Sequence, residues 1–223
     1  MIFPFAMPWI PFLAFGLAFA GVYWFQFQKK QARVRSLAMI ASGIGFEFSA
    51  IDTFGIETMP FALFRQGKGH KAQNVMSGTR RGRPMQLFDY EYYIQNRNRE
   101  YHRFTCAILT IPAACPSLCL THENIATRLG DHLGFHDVEL EYDDFNRRFR
   151  IACEQKFAFT MLDGQMMEWL LGADRFDRVE VVGPWVLIAR RQLPPAEWTE
   201  LGVWLEGFNT HIPPVVYSSY PPR

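Results

Sequence analysis

The chain has 223 residues, 49% of them hydrophobic, and is therefore long enough to bury a sizeable core. Its four cysteines are too few for a dense disulfide framework, and it contains no repeat or low-complexity tract. The net charge of +1 is unevenly distributed, with +7 over residues 29–83, −4 over 84–154 and −2 over 155–223. Because the acidic remainder would repel a polyanion, we expect no nucleic-acid partner.

Residues 1–28 are predicted to form a single transmembrane helix. No charged side chain occurs from Ile2 to Gln28, and aromatic residues stand near both edges of this run. An apolar run longer than about 20 residues can cross a hydrocarbon core of about 30 Å. A cleaved signal peptide is the competing interpretation, since Ala18 and Ala20 form an Ala-x-Ala sequence. Against cleavage, no basic residue precedes the run and the apolar segment continues past that site.

Basic residues follow the apolar run directly, and residues 29–45 are predicted to be a basic juxtamembrane linker and helix that ends at Gly43 and Gly45. The positive-inside rule then predicts a single-pass protein of the plasma (inner) membrane, with its N-terminus outside and its main domain in the cytoplasm. The membrane lipid bilayer is the first predicted partner, because juxtamembrane basic side chains are attracted to anionic lipid. The same residues would also serve as an ordinary stop-transfer signal. The predicted lipid-contact residues are Lys29, Lys30, Arg33 and Arg35.

Residues 46–211 are predicted to form one cytoplasmic α+β domain, with a mostly antiparallel sheet and three or so packed helices. Alternating patterns and short turns predict the strands, and Gly183-Pro184 predicts a hairpin between Val179–Val182 and Trp185–Arg190. Short connections favour antiparallel neighbours. The other predicted strands are Phe46–Asp52, Lys71–Thr79, Pro84–Gln95, Tyr101–Ile111, Ser117–Thr121 and Arg147–Cys153.

Apolar residues at three- and four-residue intervals predict the helices. The first begins at His122 and ends before Gly134, the second runs from Phe157 to Leu171, and the third from Pro195 to Thr210. The proline-rich tail, residues 212–223, is predicted to be extended and packed along the domain. The apolar stripe of the second helix comprises Phe157, Met161, Leu162, Trp169 and Leu170.

Cys115, Cys119 and His122 are the best metal-ligand candidates in the sequence. Zinc takes three or four sulfur or nitrogen ligands, and two to four residues commonly separate paired cysteines. A fourth ligand is missing nearby, and the apolar neighbours favour ordinary buried thiols. No metal and no cofactor is therefore predicted.

Two further sets of polar residues are candidate sites. One comprises Glu141, Asp143 and Asp144 with His132 or His136, which would serve acid–base chemistry only if a partly desolvated site brought them close. The other is basic and would suit lipid headgroups, although a solvated turn face explains it as well. Its members are Arg65, Lys68, His70, Lys71, Arg80, Arg81 and Arg83.

Several short segments of the sequence resemble those of a bacterial protein family. They are Asn74 to Thr79, Gly82-Arg83-Pro84, Phe88 to Tyr93, Asp131 to Phe135 and Phe145-Asn146-Arg147. With these the chain resembles uncharacterised bacterial membrane-anchored proteins of the domain-of-unknown-function 3137-like kind. The resemblance covers most of the chain after the anchor and implies a membrane-tethered single domain, without assigning a site residue.

The sequence thus predicts a single-pass membrane-anchored protein whose cytoplasmic α+β domain binds a protein or lipid partner. This hypothesis depends on the anchor and on the lack of a recognisable catalytic motif. The alternative is a membrane-bound enzyme whose catalytic residues are dispersed along the sequence. A deep polar pocket holding carboxylates or histidines with shifted pKa values would favour the enzyme.

Overall fold

The computed structural model describes residues 10–122, 138–173 and 175–222, with side chains from Ala20 onward. The start of the predicted anchor and nearly all of the helix predicted to begin at His122 lie outside the described residues. The helices are α1 (Ile10–Gly43), α2 (Asp143–Arg148), α3 (Gln155–Met161), α4 (Gly164–Gly172), α5 (Trp198–His211) and α6 (Pro214–Ser219). The strands are β1 (Glu47–Ile51), β2 (Lys68–Arg80), β3 (Arg83–Gln95), β4 (Arg99–His122), β5 (Phe149–Cys153) and β6 (Arg178–Arg191).

Helix α1 is a continuous helix of 34 residues that joins the predicted anchor to the predicted juxtamembrane segment. Every residue from Ala20 to Lys30 is exposed, whereas Leu37 and Ala41 are fully buried in the domain. The helix ends where predicted, at Gly43, and Gly45 turns the chain with a φ of 74°. Among the described residues, we find no helix whose length and apolarity would let it cross a membrane.

The six strands form one antiparallel sheet, as the sequence predicted. Strands β1, β2 and β3 follow each other as a meander, and β3 pairs with the first part of β4. Strand β5 pairs with the last part of β4 on the same side as β3, and β6 runs along the other side of β4. The long strand β4 therefore lies inside the sheet and connects all of its parts.

Strand β4 is longer than predicted because it passes through two prolines. On one side β3 pairs with it up to Leu109 and β5 pairs with it from Leu118, so Pro112 and Pro116 lie where neither strand pairs with it. The register with β6 also shifts between Thr110 and Leu118. Proline is tolerated at such irregularities because no ladder hydrogen bond is lost. The two strands predicted here, Tyr101–Ile111 and Ser117–Thr121, are one.

Both faces of the sheet are covered. On the first, here called the helix face, α1 and α3 to α6 pack on apolar residues such as Leu87, Leu109 and Val186. On the second, here called the loop face, the chain between β1 and β2 packs on Phe88, Ile108 and other apolar residues. Residues of β3 alternate between the two faces, as a strand buried on both sides requires.

Three sequence predictions are wrong in detail. The segment predicted as a hairpin around Gly183 is a single strand, β6, in which Gly183 has a φ of 57°. The helix predicted from Phe157 to Leu171 is two helices, because Asp163 ends one and caps the next by accepting a hydrogen bond from the Met166 amide at 2.9 Å. The tail predicted to be extended contains helix α6, which begins at Pro214.

Candidate functional site

An open cleft of about 430 Å³ lies on the loop face of the sheet, near the turn between β2 and β3. We call it the turn-end cleft. One wall is the chain segment from Phe54 to Met59, and the floor is formed by residues of β2, β3, β4 and β6. A volume of this order is typical of small-molecule sites, which measure about 300–1,000 Å³.

The cleft wall is held in place by a local turn. The Asp52 carboxylate accepts hydrogen bonds from the amides of Phe54 and Ile56, at 2.8 and 2.7 Å. Gly55 adopts a φ of 69°, which a residue with a Cβ atom would find strained. Ile56 is fully buried, whereas 52% of Phe54 is exposed. The turn thus holds Ile56 in the core and leaves Phe54 exposed at the rim of the cleft.

The lining of the cleft is apolar, with uncharged polar groups between. Phe54, Met59 and Trp185 supply the accessible apolar surface, and Ile56 and Ile108 are buried behind it. No ionisable side chain belongs to the described lining, so the cleft offers neither a general acid nor a general base. The polar side chains are those of Thr58, Ser77, Gln86 and Thr110.

A buried ion pair fixes the next part of the loop to the sheet. Glu180 is 1% exposed and accepts hydrogen bonds from the amides of Ala62 and Leu63, at 2.6 and 2.9 Å. Its other partner is Arg178 on the same strand, at 2.5 Å. Burial alone would lower the pKa of Arg178, but the Glu180 carboxylate together with Cys119 and Tyr92 outweighs this effect and the pKa is raised. The pair therefore fixes this part of the loop to β6 and serves the fold.

An aromatic row continues along the loop face from the ion pair. Tyr90 is hydrogen-bonded to His70 at 2.7 Å, and Tyr92 donates to Gln66 at 3.0 Å. Desolvation raises the pKa of both phenols, that of Tyr92 to about 12. Both phenols stay neutral at physiological pH, and the row acts as packing between the loop and the sheet.

The metal-ligand candidates lie along one strand. Cys115 and Cys119 are four residues apart on β4, about 13 Å at the rise of an extended strand, too far for a shared ion with bonds of about 2.3 Å. Burial raises the pKa of Cys115 to about 11 and that of Cys119 to about 12, so both remain thiols. The His122 ring packs against Phe149 and Phe176, which also stack on each other. The described residues contain no cluster of three or more potential metal ligands.

The acid–base candidates are not gathered in a desolvated site. Glu141, Asp143 and Asp144 are all exposed, and Asp144 pairs with Arg147 on the same short helix. Their possible partners, His132 and His136, lie outside the described residues.

The structure separates Arg33 from the other predicted lipid-contact residues. Its guanidinium binds both carboxylate oxygens of Asp89, at 2.8 and 2.6 Å, and donates to the Leu193 carbonyl at 2.9 Å. Asp89 is 1% exposed and also accepts from Asn74 at 2.9 Å. Arg33 therefore fastens α1 to the helix face of the sheet. Lys29, Lys30 and Arg35 are exposed.

The second basic group is split between the two ends of the sheet. Arg80, Arg81 and Arg83 lie at the β2–β3 turn, where Glu206 on α5 pairs with Arg80 at 2.7 Å and with Arg81 at 3.2 Å. Arg65, Lys68, His70 and Lys71 lie at the other end, beside the β3–β4 turn, as the pairing of Lys68 with Tyr93 shows. Sequence proximity could not reveal this separation, because β2 spans 13 residues.

The structure is an α+β domain with an open cleft that has a largely apolar lining. Among solved structures, the chain is similar to the crystal structure of the mycobacterial trehalose monomycolate transport factor A, with a TM-score of 0.66 and 16% sequence identity over 85% of this chain and 97% of that chain. At this identity the similarity shows a shared fold. No family model and no curated protein sequence matches the chain.

Proposed function

We propose that this chain is a membrane-tethered lipid-binding protein whose domain takes up an apolar lipid chain in the turn-end cleft. The observation that carries the proposal is the cleft itself, which combines exposed apolar walls with uncharged polar groups. Such a lining desolvates an acyl chain at a gain of about 0.8 kcal/mol per buried CH₂. The four hydroxyl and amide side chains could bind the ester or carboxyl group at its end.

Two further observations support lipid as the ligand. The structurally similar protein is, by its name, a transport factor for trehalose monomycolate. In addition, α1 exposes large apolar side chains in its N-terminal half, including 63% of Trp24 and 54% of Phe25. Exposed apolar surface of this extent is typical of a membrane or partner contact.

The tether is the transmembrane anchor predicted for residues 1–28, with the domain on the cytoplasmic side of the inner membrane. The absence of charge from Ile2 to Gln28 and the basic residues after it support this part of the proposal. Membership of the family that the sequence resembles would place the chain among membrane-anchored proteins as well.

The cleft lies at the end of the domain away from this anchor. Arg33 contacts Asp89 on β3, and Ile44, eleven residues later on α1, lies beside Met85 and Leu87. Helix α1 thus approaches the β2–β3 turn as it proceeds, and its exposed N-terminal half leaves at the opposite end. A lipid in the cleft would therefore be held away from the bilayer, which suits a carrier or transport accessory better than an enzyme acting within the membrane.

The proposal is tested by photocrosslinking of a diazirine-labelled fatty acid to the purified full chain. Ser77→Phe places a bulky ring in the cleft and is expected to abolish adducts on the cleft peptides around Phe54–Met59 and Ile108. Ser219→Phe makes the same change at an exposed position of α6 and should leave those adducts unaltered. Equal labelling of the two variants would contradict binding in the cleft.

A further inference from the structure

The edge of the described sheet at the β3–β4 turn is rich in basic residues. Six basic side chains lie on the turn and the strand ends beside it, against the carboxylates of Glu91 and Glu100. Glu91 pairs with Arg103 across the two strands, which leaves five basic residues against Glu100 and against Glu57, whose carboxylate accepts from the Ala72 amide at 3.3 Å beside Lys71. These five are exposed and we call them the basic rim: Arg65, Lys68, Lys71, Arg97 and Arg99.

The rim is an ordered feature of the fold. Gly67 and Gly69 have φ values of 72° and 67°, and a Cβ atom on Gly69 would collide with the ring of Tyr93. The Arg99 guanidinium lies over the same Tyr93 ring, at 4.8 Å from the ring centroid. Close approach of the β2 backbone therefore positions the tyrosine, and the tyrosine supports the arginine.

Aromatic residues at this edge are exposed beside the charges. Tyr101 is 48% exposed and packs against Tyr93, with 5.7 Å between ring centroids. Tyrosine is typical of membrane interfaces because it has an apolar ring and a polar hydroxyl, and arginine and lysine also occur there.

The rim lies at the end of the domain from which α1 departs. Helix α1 runs antiparallel to β3, because Arg33 lies beside Asp89 and Ile44 lies beside Met85. From Arg33 back to Ala20, α1 therefore extends in the direction in which β3 runs from Asp89 to Gln95. The exposed lysines of α1, Lys29 and Lys30, therefore lie on the same side of the domain as the rim.

We propose that the basic rim docks the domain on the anionic lipid surface of the bilayer that holds the anchor, and so directs the turn-end cleft away from the membrane. The inference rests on the proposed membrane tether. Its partner is an anionic bilayer, because the charges and tyrosines face the direction in which the apolar half of α1 leaves. Such a surface attracts each nearby basic residue, and salt screens this attraction.

The test uses the full chain with Asn96→Cys, labelled with an environment-sensitive fluorophore at the turn. The four native cysteines are buried and leave this thiol as the accessible one. The protein is reconstituted in vesicles of phosphatidylcholine, or of phosphatidylcholine and phosphatidylglycerol in equal amounts. We expect a blue shift of the emission in the anionic vesicles, absent in neutral ones and reversed by high salt.

Matched charge variants locate the effect. Lys68→Gln/Arg97→Gln/Arg99→Gln should lose the shift, whereas Arg80→Gln/Arg81→Gln/Arg83→Gln, which removes the same charge at the other end of the sheet, should keep it. Equal loss in both variants, or no shift in the parent, overturns the inference. Flotation with the neutral vesicles separates the two proposals: a parent that floats with them but shows no shift in the anionic vesicles refutes only the docking, and one that does not float refutes the tether and the docking with it.

Discussion

At the scale of single residues, the Arg33–Asp89 pair joins the proposed anchor helix to the sheet. The carboxylate is buried and also accepts hydrogen bonds from Asn74 on β2, Thr105 on β4 and Gln192 directly after β6. Charged groups in such surroundings are costly to leave without their partners, although the net value of the complete pair is small. The pair therefore fixes the position of α1 more than it adds to stability.

Arg33→Ala is expected to lower the free energy of unfolding by about 3 kcal/mol, because it leaves the Asp89 carboxylate buried and without its counterion. Arg35→Ala, an exposed position on the same helix, should change it by less than about 0.5 kcal/mol. Denaturant unfolding of the detergent-solubilised chain measures both. The double variant Arg33→Met/Asp89→Leu should recover part of the loss, and similar values for the two single variants would refute the structural role of the pair.

The buried thiols predict a pH dependence. Burial raises the pKa of Cys115 to about 11 and that of Cys119 to about 12, whereas in the unfolded chain these thiols ionise near their ordinary pKa of about 8.5. The unfolded chain therefore binds fewer protons above that pH, and stability falls as the pH rises from about 9 towards 11. Denaturant midpoints measured across this range check the slope. In Cys115→Ala, stability should fall less steeply with rising pH. A slope identical to that of the parent would show that burial does not raise the pKa of Cys115.

At the scale of elements, sequence patterns located most strands but not their extent. Alternation and turn residues identified β1, β2, β3 and β5, because these strands end at glycines, charged turns or other recognisable breaks. The length of β4 depended on a tertiary feature, the gap between β3 and β5 in which Pro112 and Pro116 lie. Gly183 resembled a turn but is accommodated inside β6 by a positive φ.

The sequence predicted neither the buried ion pairs nor the cleft. Asp89 and Glu180 alternate with apolar residues in strands, a pattern typical of a solvated face. Both are buried because both faces of this sheet are covered, one by helices and the other by residues 53–67. Only Thr58 and other uncharged residues line the cleft with its apolar groups, so no charged motif marked it in the sequence.

The cap between α3 and α4 gives a prediction at this scale. Asp163→Ala removes the side chain that accepts the Met166 amide and should destabilise the domain by about 1 kcal/mol. Asp163→Ser should retain most of the stability, since serine is also a good cap. Thermal unfolding followed by circular dichroism compares the two. A melting temperature for Asp163→Ala equal to that of the parent would show that the break between the helices does not depend on this cap.

At the scale of the whole molecule, the proposed tether, the basic rim and the cleft follow one another in that order along the domain. The exposed half of α1 and the rim lie at one end, and the cleft lies at the other. The connection between them is rigid because Arg33, Leu37 and Ala41 of α1 are all held by the sheet and its helices. The topology of the tether thus determines on which side of the membrane a lipid would be bound.

The proposed topology predicts that intact spheroplasts protect a C-terminal tag from added protease. Replacing Lys29, Lys30 and Arg35 by glutamine should weaken or invert this orientation, because these exposed residues supply the positive-inside signal. Arg33 is kept in this variant to preserve its pair with Asp89. Digestion of the tag in the parent would contradict the cytoplasmic placement, and unchanged protection in the variant would contradict the charge argument.

The measurement closest to the central claim is the position of the diazirine fatty-acid adducts on the full chain, read by peptide mass spectrometry. The account predicts adducts on the wall from Phe54 to Met59 and on the β4 peptide containing Ile108, present in the parent and in Ser219→Phe and lost in Ser77→Phe. Adducts confined to α1, or cleft adducts that persist in Ser77→Phe, would show that the turn-end cleft does not bind lipid.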